Sequence, residues 1–278
     1  MDETTALLSR IAEALERLAP PPPRADDLAG GTRFVWRPSG LCAADGAGPP
    51  LDLLLEIDAQ KAALLDNTRR FAAGAAANNA LLWGVRGAGK SALVRAVHAT
   101  VAAPQLKLIE TPREALPRLP TLLEALASAD VRAILFVDDL SFEGEDDVAK
   151  ALKLALGGGF GAQGANVIVY ATSNRRHLMG RDARENTPTD LHWSDTAEER
   201  LALSDRFGLW LGFHALDQAG YLRIVAAYAT ALKLPLDADA LRTRALQWSM
   251  ARAARSGRTA WQFTVALAGE LGVSADLA

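Results

Sequence analysis

Along this chain the apolar positions fall into two rhythms, and the change between them sets out the elements. Residues 1–19 carry Leu8, Ile11, Leu15 and Leu18 at spacings of three and four, which places them on one stripe of an amphipathic helix. Two heptads are too few to hold a coiled coil alone, so the helix reads either as one docked on the core or as a handle for a partner. Pro20–Pro23 stop it and favour an extended spacer. Residues 20–50, rich in Pro, Gly, Ala and Asp, read as a linker with one short strand at Arg33–Trp36. From Leu51 the pattern becomes regular. The segment Leu53–Asp58 leads into a helix over 59–73 that ends near Gly74. Short, continuous apolar runs then alternate with helical spacings. Strands are expected in the first half of Asn78–Ser91 and at Leu106–Glu110, Ala133–Asp139, Asn166–Asn174 and Leu209–Phe213. Helices are expected at 92–98, 119–128 and 147–156, the last stopped by Gly157-Gly158-Gly159. Runs apolar throughout suit strands buried on both faces of a parallel sheet. Beyond about residue 215 only helical spacing remains, at 217–232, 237–255 and 259–271. This pattern predicts an α/β, three-layer αβα domain with a five-stranded parallel sheet over 51–215, followed by a small helical domain over 216–278.

The first of those strands runs into Gly84-Val85-Arg86-Gly87-Ala88-Gly89-Lys90-Ser91, which fits G-x-x-x-x-G-K-[ST]. Glycines let backbone N–H groups close around phosphate oxygens, Lys90 reaches the β- and γ-phosphates, and the Ser91 hydroxyl is suited to Mg²⁺. The helix that starts there turns its N-terminus to the anion, with Ala92 in its first turn. Gly84 through Ala92 are therefore the candidate ATP-binding residues, with ATP and Mg²⁺ the implied ligands.

Composition narrows the class without changing it. Half of the 278 residues are hydrophobic and 23% are charged, as in ordinary globular proteins, and the net charge of −3 argues against a surface that coats nucleic acid or membrane. The single cysteine, Cys42, rules out an internal disulfide and any cysteine-rich zinc site, and fits a reducing cytoplasm. The four histidines are scattered. The acidic, polar start is no signal peptide, and no apolar run reaches membrane-spanning length.

In a parallel sheet, ligands sit at the carboxyl ends of strands. Asp138 and Asp139 end one strand, where the first suits Mg²⁺ and the second suits the attacking water. Asn174 ends another, within reach of a γ-phosphate or that water.

With the phosphate loop, these residues resemble the AAA+ ATPase superfamily from about residue 51 to the C-terminus. The stretches LLWGVRGAGKS (81–91), ILFVDDLSF (134–142), YATSNRRHL (170–178) and LSDRFGLWLGF (203–213) look most like its bacterial branch called "domain of unknown function 815", which is distantly similar to replication initiators and helicase loaders. The resemblance implies an AAA+ fold whose helical C-terminal domain is a lid. It implies Lys90, Asp139, Asn174 (sensor 1) and Arg206 as catalytic residues, with Ser91 and Asp138 on the metal. Arg206 corresponds to an arginine finger reaching a neighbouring subunit's γ-phosphate, hence a homo-oligomer. Arg258 matches sensor 2, and Ile57 lies in the segment that covers adenine. One position departs from the family: AAA+ proteins usually follow the metal aspartate with glutamate, and here it is Asp139. The shorter arm still acts or Glu143 substitutes, and slow hydrolysis fits either.

Two functional readings follow. One is an ATPase that remodels or loads a protein or nucleic-acid partner. The other is a slow nucleotide-dependent switch or adaptor that delivers its N-terminal helix. A small-metabolite kinase fits less well, given the helical C-terminal domain and Arg258. Thr111–Pro117, where unfoldases carry an aromatic pore loop, holds no aromatic, which disfavours polypeptide threading. No helix-turn-helix or zinc module follows the helical domain, although Arg175, Arg176, Arg181 and Arg184 form a basic cluster.

Overall fold

A computed structural model describes residues 3–18, 25–46, 48–140, 151–152, 155–156, 166–174 and 205–277. Its strands are β1 (Arg33–Arg37), β2 (Gly40–Ala43), β3 (Ala80–Gly84), β4 (Leu106–Glu110), β5 (Arg132–Val137), β6 (Val167–Ser173) and β7 (Leu209–Phe213). Among the described residues the helices are α1 (Glu3–Leu18), α2 (Asp58–Ala72), α3 (Lys90–Val101), α4 (Leu119–Ala127), α5 (Gln218–Ala231), α6 (Ala238–Ala251) and α7 (Gly257–Glu270). The strand order is β2-β1-β4-β5-β6-β3-β7. Among the described residues the sheet therefore has seven strands where five were expected, and the first pair is antiparallel.

The chain divides into two compact units. The first comprises Met1–Asp45, Ala103–Ala171 and Pro188–Gly208, and the second Gly46–Ala102, Thr172–Thr187 and Leu209–Ala278. In the first unit β4, β5 and β6 run parallel with pairs such as Ile109↔Leu135 and Leu135↔Val169. Every residue of β6 is buried, and so is all of β5 after Arg132, as their unbroken apolar runs require.

The stretch 20–50, expected to be a spacer with one short strand, instead carries a hairpin. The β1 strand pairs antiparallel with β2 and parallel with β4, and it buries Phe34 and Trp36 at 2% and 0% exposure. Its alternation Phe34-in, Val35-out, Trp36-in is a half-buried strand's period of two, where the sequence marks a short strand; β2 and the pairing with it were not expected. The Lys107 ammonium, buried on β4, donates to the Gly31 carbonyl at 2.6 Å and ties the entry to this hairpin down; burial holds its pKa below the usual lysine value. The segment Thr111–Pro117 forms a 3₁₀ turn over Arg113–Arg118 whose Ala115 and Leu116 are fully buried, so it packs inward.

In the second unit β3 pairs parallel with β7, residue for residue from Ala80↔Leu209 to Gly84↔Phe213. Helices α5, α6 and α7 pack around Tyr221, Ile224, Val225, Tyr228, Ala245, Phe263 and Leu267. Each begins where the sequence offers a cap. Asp217 accepts from Gly220 N–H, Asp237 from Asp239 and Ala240 N–H, and Ser256 from Thr259 N–H.

Leu7, Leu8, Ile11 and Leu15 of α1 are all at least half exposed. Among the described residues no helix is long and apolar enough to cross a membrane. Pro20–Pro23, Glu143, the triple glycine and Arg175, Arg176, Arg181 and Arg184 lie outside the described residues; of the helix expected at 147–156, residues 151–152 and 155–156 are described and helical.

Candidate functional site

The second unit holds the candidate phosphate loop, and its geometry follows from three glycines in the left-handed region. Gly84 ends β3 at φ 130°, Gly87 has φ 75°, and Gly89 at φ 94° is the N-cap of α3. Each position is also closed to a side chain or faces a neighbour. A Cβ on Gly84 would lie 2.0 Å from the Phe213 carbonyl oxygen, the same oxygen that accepts from Val85 N–H at 3.0 Å. Strand packing therefore demands this glycine before any phosphate does. A Cβ on Gly87 would lie 2.8 Å from Ser256 Oγ and 3.1 Å from Arg258 Cβ, while the Gly87 carbonyl accepts from Arg258 N–H at 3.1 Å. The start of α7 is thus seated on the loop, which brings Arg258, itself exposed, to the expected neighbourhood. On the other side Ile57 Cδ1 and Leu54 Cδ2 lie 3.8 and 3.9 Å from where a Gly89 Cβ would be, so Ile57, 7% exposed, also meets the loop.

Lys90 is the focus of the site. It is 6% exposed, and its ammonium donates to the Gly84 carbonyl at 2.9 Å, the Val85 carbonyl at 2.8 Å and Asn174 Oδ1 at 3.0 Å. An ammonium has three protons, and these three acceptors match them. Two residues far apart in sequence, both singled out from it, are in direct contact. Ser91 and Ala92 follow in the first turn of α3, half-buried, and Arg86 is exposed on the loop. No side chain caps α3, and its first turn holds no acid. The N-terminal N–H groups of a helix lack intrahelical acceptors and carry its positive pole, so this end with its glycine cradle fits a phosphate group.

The remaining candidates belong to the first unit. Asp138 and Asp139 are exposed in the turn after Val137, so β5 ends before both acids and not with them. Asp139 has φ 54°, a left-handed conformation that aspartate tolerates better than most residues with a side chain. Arg206 is exposed in the turn before β7, next to Phe207, which is 2% exposed and anchors that turn.

Glu56 was not anticipated. It has φ 66° and accepts a two-pronged pair from Arg223 of α5, Nε to Oε1 at 2.6 Å and Nη2 to Oε2 at 2.8 Å. The guanidinium's hydrogen bonds hold its carboxyl below the usual glutamate range. Nothing in sequence links residues 167 apart. The only available signal was an acid next to Ile57 in a segment otherwise made of leucines.

Comparisons with known proteins bear on the fold that carries these residues. A Thermotoga maritima RuvB variant superimposes with a TM-score of 0.51 at 15% identity, covering 84% of this chain and 75% of that one. Aeropyrum pernix Orc1, solved in complex with DNA, gives 0.58 at 16% identity, covering 80% of this chain and 64% of that one. Identities this low speak to the fold, which is the mostly parallel α/β fold of AAA+ ATPases. A sequence search of curated proteins finds no match. The family description "Protein of unknown function (DUF815)" matches residues 32–271, from the start of the hairpin to just past α7, and the chain belongs to that AAA+-like family.

Proposed function

We propose that this chain binds ATP with Mg²⁺ and hydrolyses it, as a homo-oligomer that remodels or loads a protein or nucleic-acid partner. The observation that carries the reading is Lys90, buried and shared between the phosphate loop and Asn174. A lysine held this way presents its charge at one point, with little side-chain freedom left to lose when phosphate arrives. In this reading Gly84 to Ala92 wrap the phosphates, Lys90 neutralises the β- and γ-oxygens, and Asn174, already on Lys90, orients the γ-phosphate or the attacking water. Arg258 contacts phosphate in cis from the lid, residues 216–278, and Ile57 covers the base. Asp139 positions water, and Arg206 acts in trans on a neighbour's nucleotide; both roles rest on the resemblance to AAA+ proteins. Mg²⁺ held by Ser91 and Asp138 would offset the charge that develops on the phosphates. A partner that is nucleic acid draws support from the DNA-bound relative, and a cytoplasmic site of action from the lone cysteine.

A second reading, a slow switch with little turnover, is favoured by two observations. Asp139 pairs a short carboxylate with a left-handed backbone, and α1 shows an exposed apolar stripe suited to delivery. Steady-state turnover against protein concentration separates the two. The ATPase reading expects activity that rises with concentration, is lost in Arg206→Ala, and returns on mixing Arg206→Ala with Lys90→Ala. Tight ATP binding with no turnover at any concentration supports the switch. Absence of ATP binding overturns both.

A further inference from the structure

The Glu56–Arg223 pair stands apart from the residues that the AAA+ resemblance assigns, and three features give it a purpose. Glu56 sits at φ 66°, a conformation disfavoured for a glutamate, which persists only where surrounding contacts hold it. Its carboxylate is fully engaged by the fork of Arg223 and lies against the first turn of α5, where a Cβ on Gly220 would come within 3.1 Å of Oε2. That turn is capped by Asp217, which accepts from Gly220 N–H at 2.7 Å, so the carboxylate meets a fixed surface. Finally, Glu56 lies between Leu54 and Ile57, whose side chains approach the phosphate-loop Gly89.

From this geometry we propose that Glu56 and Arg223 form a positioning clamp for the base end of the nucleotide site. The pair locks the Leu54–Ile57 segment in a strained backbone against the phosphate loop and joins it to the helical domain through α5. The inference rests on the nucleotide-binding reading and extends it. The phosphates are gripped by Lys90 and the loop, whereas the base is gripped by a segment whose placement depends on an ion pair. Removing the pair should loosen the base and leave the phosphate grip alone.

Calorimetric titration of the full chain with Mg-ATP and with inorganic tripolyphosphate tests this, using wild type, Glu56→Gln, Arg223→Ala and the charge swap Glu56→Arg with Arg223→Glu. A two-pronged, partly exposed pair is worth enough to weaken binding about 5-fold when broken. Glu56→Gln and Arg223→Ala are each expected to weaken ATP about 5-fold and tripolyphosphate less than 2-fold. Their double variant should do no worse than either, and the swap should recover part of the ATP affinity. Thermal unfolding of each variant shows that it is folded; should Glu56→Gln fail to fold, Arg223→Lys, which keeps the charge and loses the fork, serves in its place with an intermediate loss. Wild-type ATP affinity in the folded single variants, or equal loss for both ligands, overturns the clamp. A wild type that binds neither ligand overturns the nucleotide site itself.

Discussion

Consider the replacement of Lys90 by alanine. From sequence alone the expected result is lost ATP affinity with an intact fold. In the structure it is 6% exposed and satisfies three acceptors, of which the Gly84 carbonyl bond is buried and the other two partly so. A buried acceptor that loses its donor costs about 1–3 kcal/mol, less where water can enter. One buried and two partly buried losses, eased by removal of a desolvated charge, come to about 2–3 kcal/mol. For a protein of this size each kcal/mol shifts the apparent Tm by roughly 2–4 °C, so Lys90→Ala should melt about 5–10 °C below wild type without ligand. Adding ATP at about a hundred times its Kd should stabilise wild type by about 2.7 kcal/mol and the variant not at all. Thermal unfolding followed by circular dichroism, with and without Mg-ATP, reads both effects. An unliganded variant that melts with wild type would refute the bonding described for Lys90. An equal rise on adding ATP would refute its role on phosphate.

Three further outcomes follow from other parts of the molecule. Gly84→Ala puts a Cβ 2.0 Å from the Phe213 oxygen and must part β3 from β7, so it should cost more than about 4 kcal/mol or abolish soluble protein; an unchanged urea midpoint would contradict the register. Trp36→Ala, in a short strand the sequence places inside a linker, should cost about 3–5 kcal/mol because the side chain is fully buried, and a loss under about 1 kcal/mol would return residues 33–43 to the status of a spacer. Tyr221 is fully buried, donates to the Ala245 carbonyl at 3.2 Å, and has its pKa pushed up to about 12 by burial. Its folded pKa lies above the unfolded value near 10, so its contribution is complete below about pH 10 and is lost as pH rises toward 12, at most about 3 kcal/mol. Urea unfolding from pH 9 to 11 should therefore fall more steeply in wild type than in Tyr221→Phe, and parallel slopes would rule the effect out.

Much of the candidate site was legible because the pattern that suits phosphate is local. Gly84 to Ser91 are contiguous, and the strand before and the helix after are dictated by an apolar run and a helical spacing that need no tertiary knowledge. Asn174 could be named as a strand end, but its contact with Lys90 depends on where β6 delivers it, 84 positions away. Of the hairpin, the first strand could be named at Arg33–Trp36, but β2 was missed because four residues are too few for periodicity to rise above the glycine-rich surroundings. Glu56 and Arg223 were missed because an ion pair across 167 positions leaves no mark in spacing.

What the sequence determined by itself, then, is the alternation of strand and helix, the phosphate-loop pattern, the two acids that follow β5 and the helical C-terminal region, since each is written in neighbouring residues. Tertiary structure alone decided that Lys90 is buried and shared with Asn174, that Gly84 is demanded by β7, that α7 is seated on Gly87, and that Glu56 is strained and paired with Arg223. These are outcomes of packing between segments distant in the chain, where shape and unpaired polar groups, and not local propensity, select the partner.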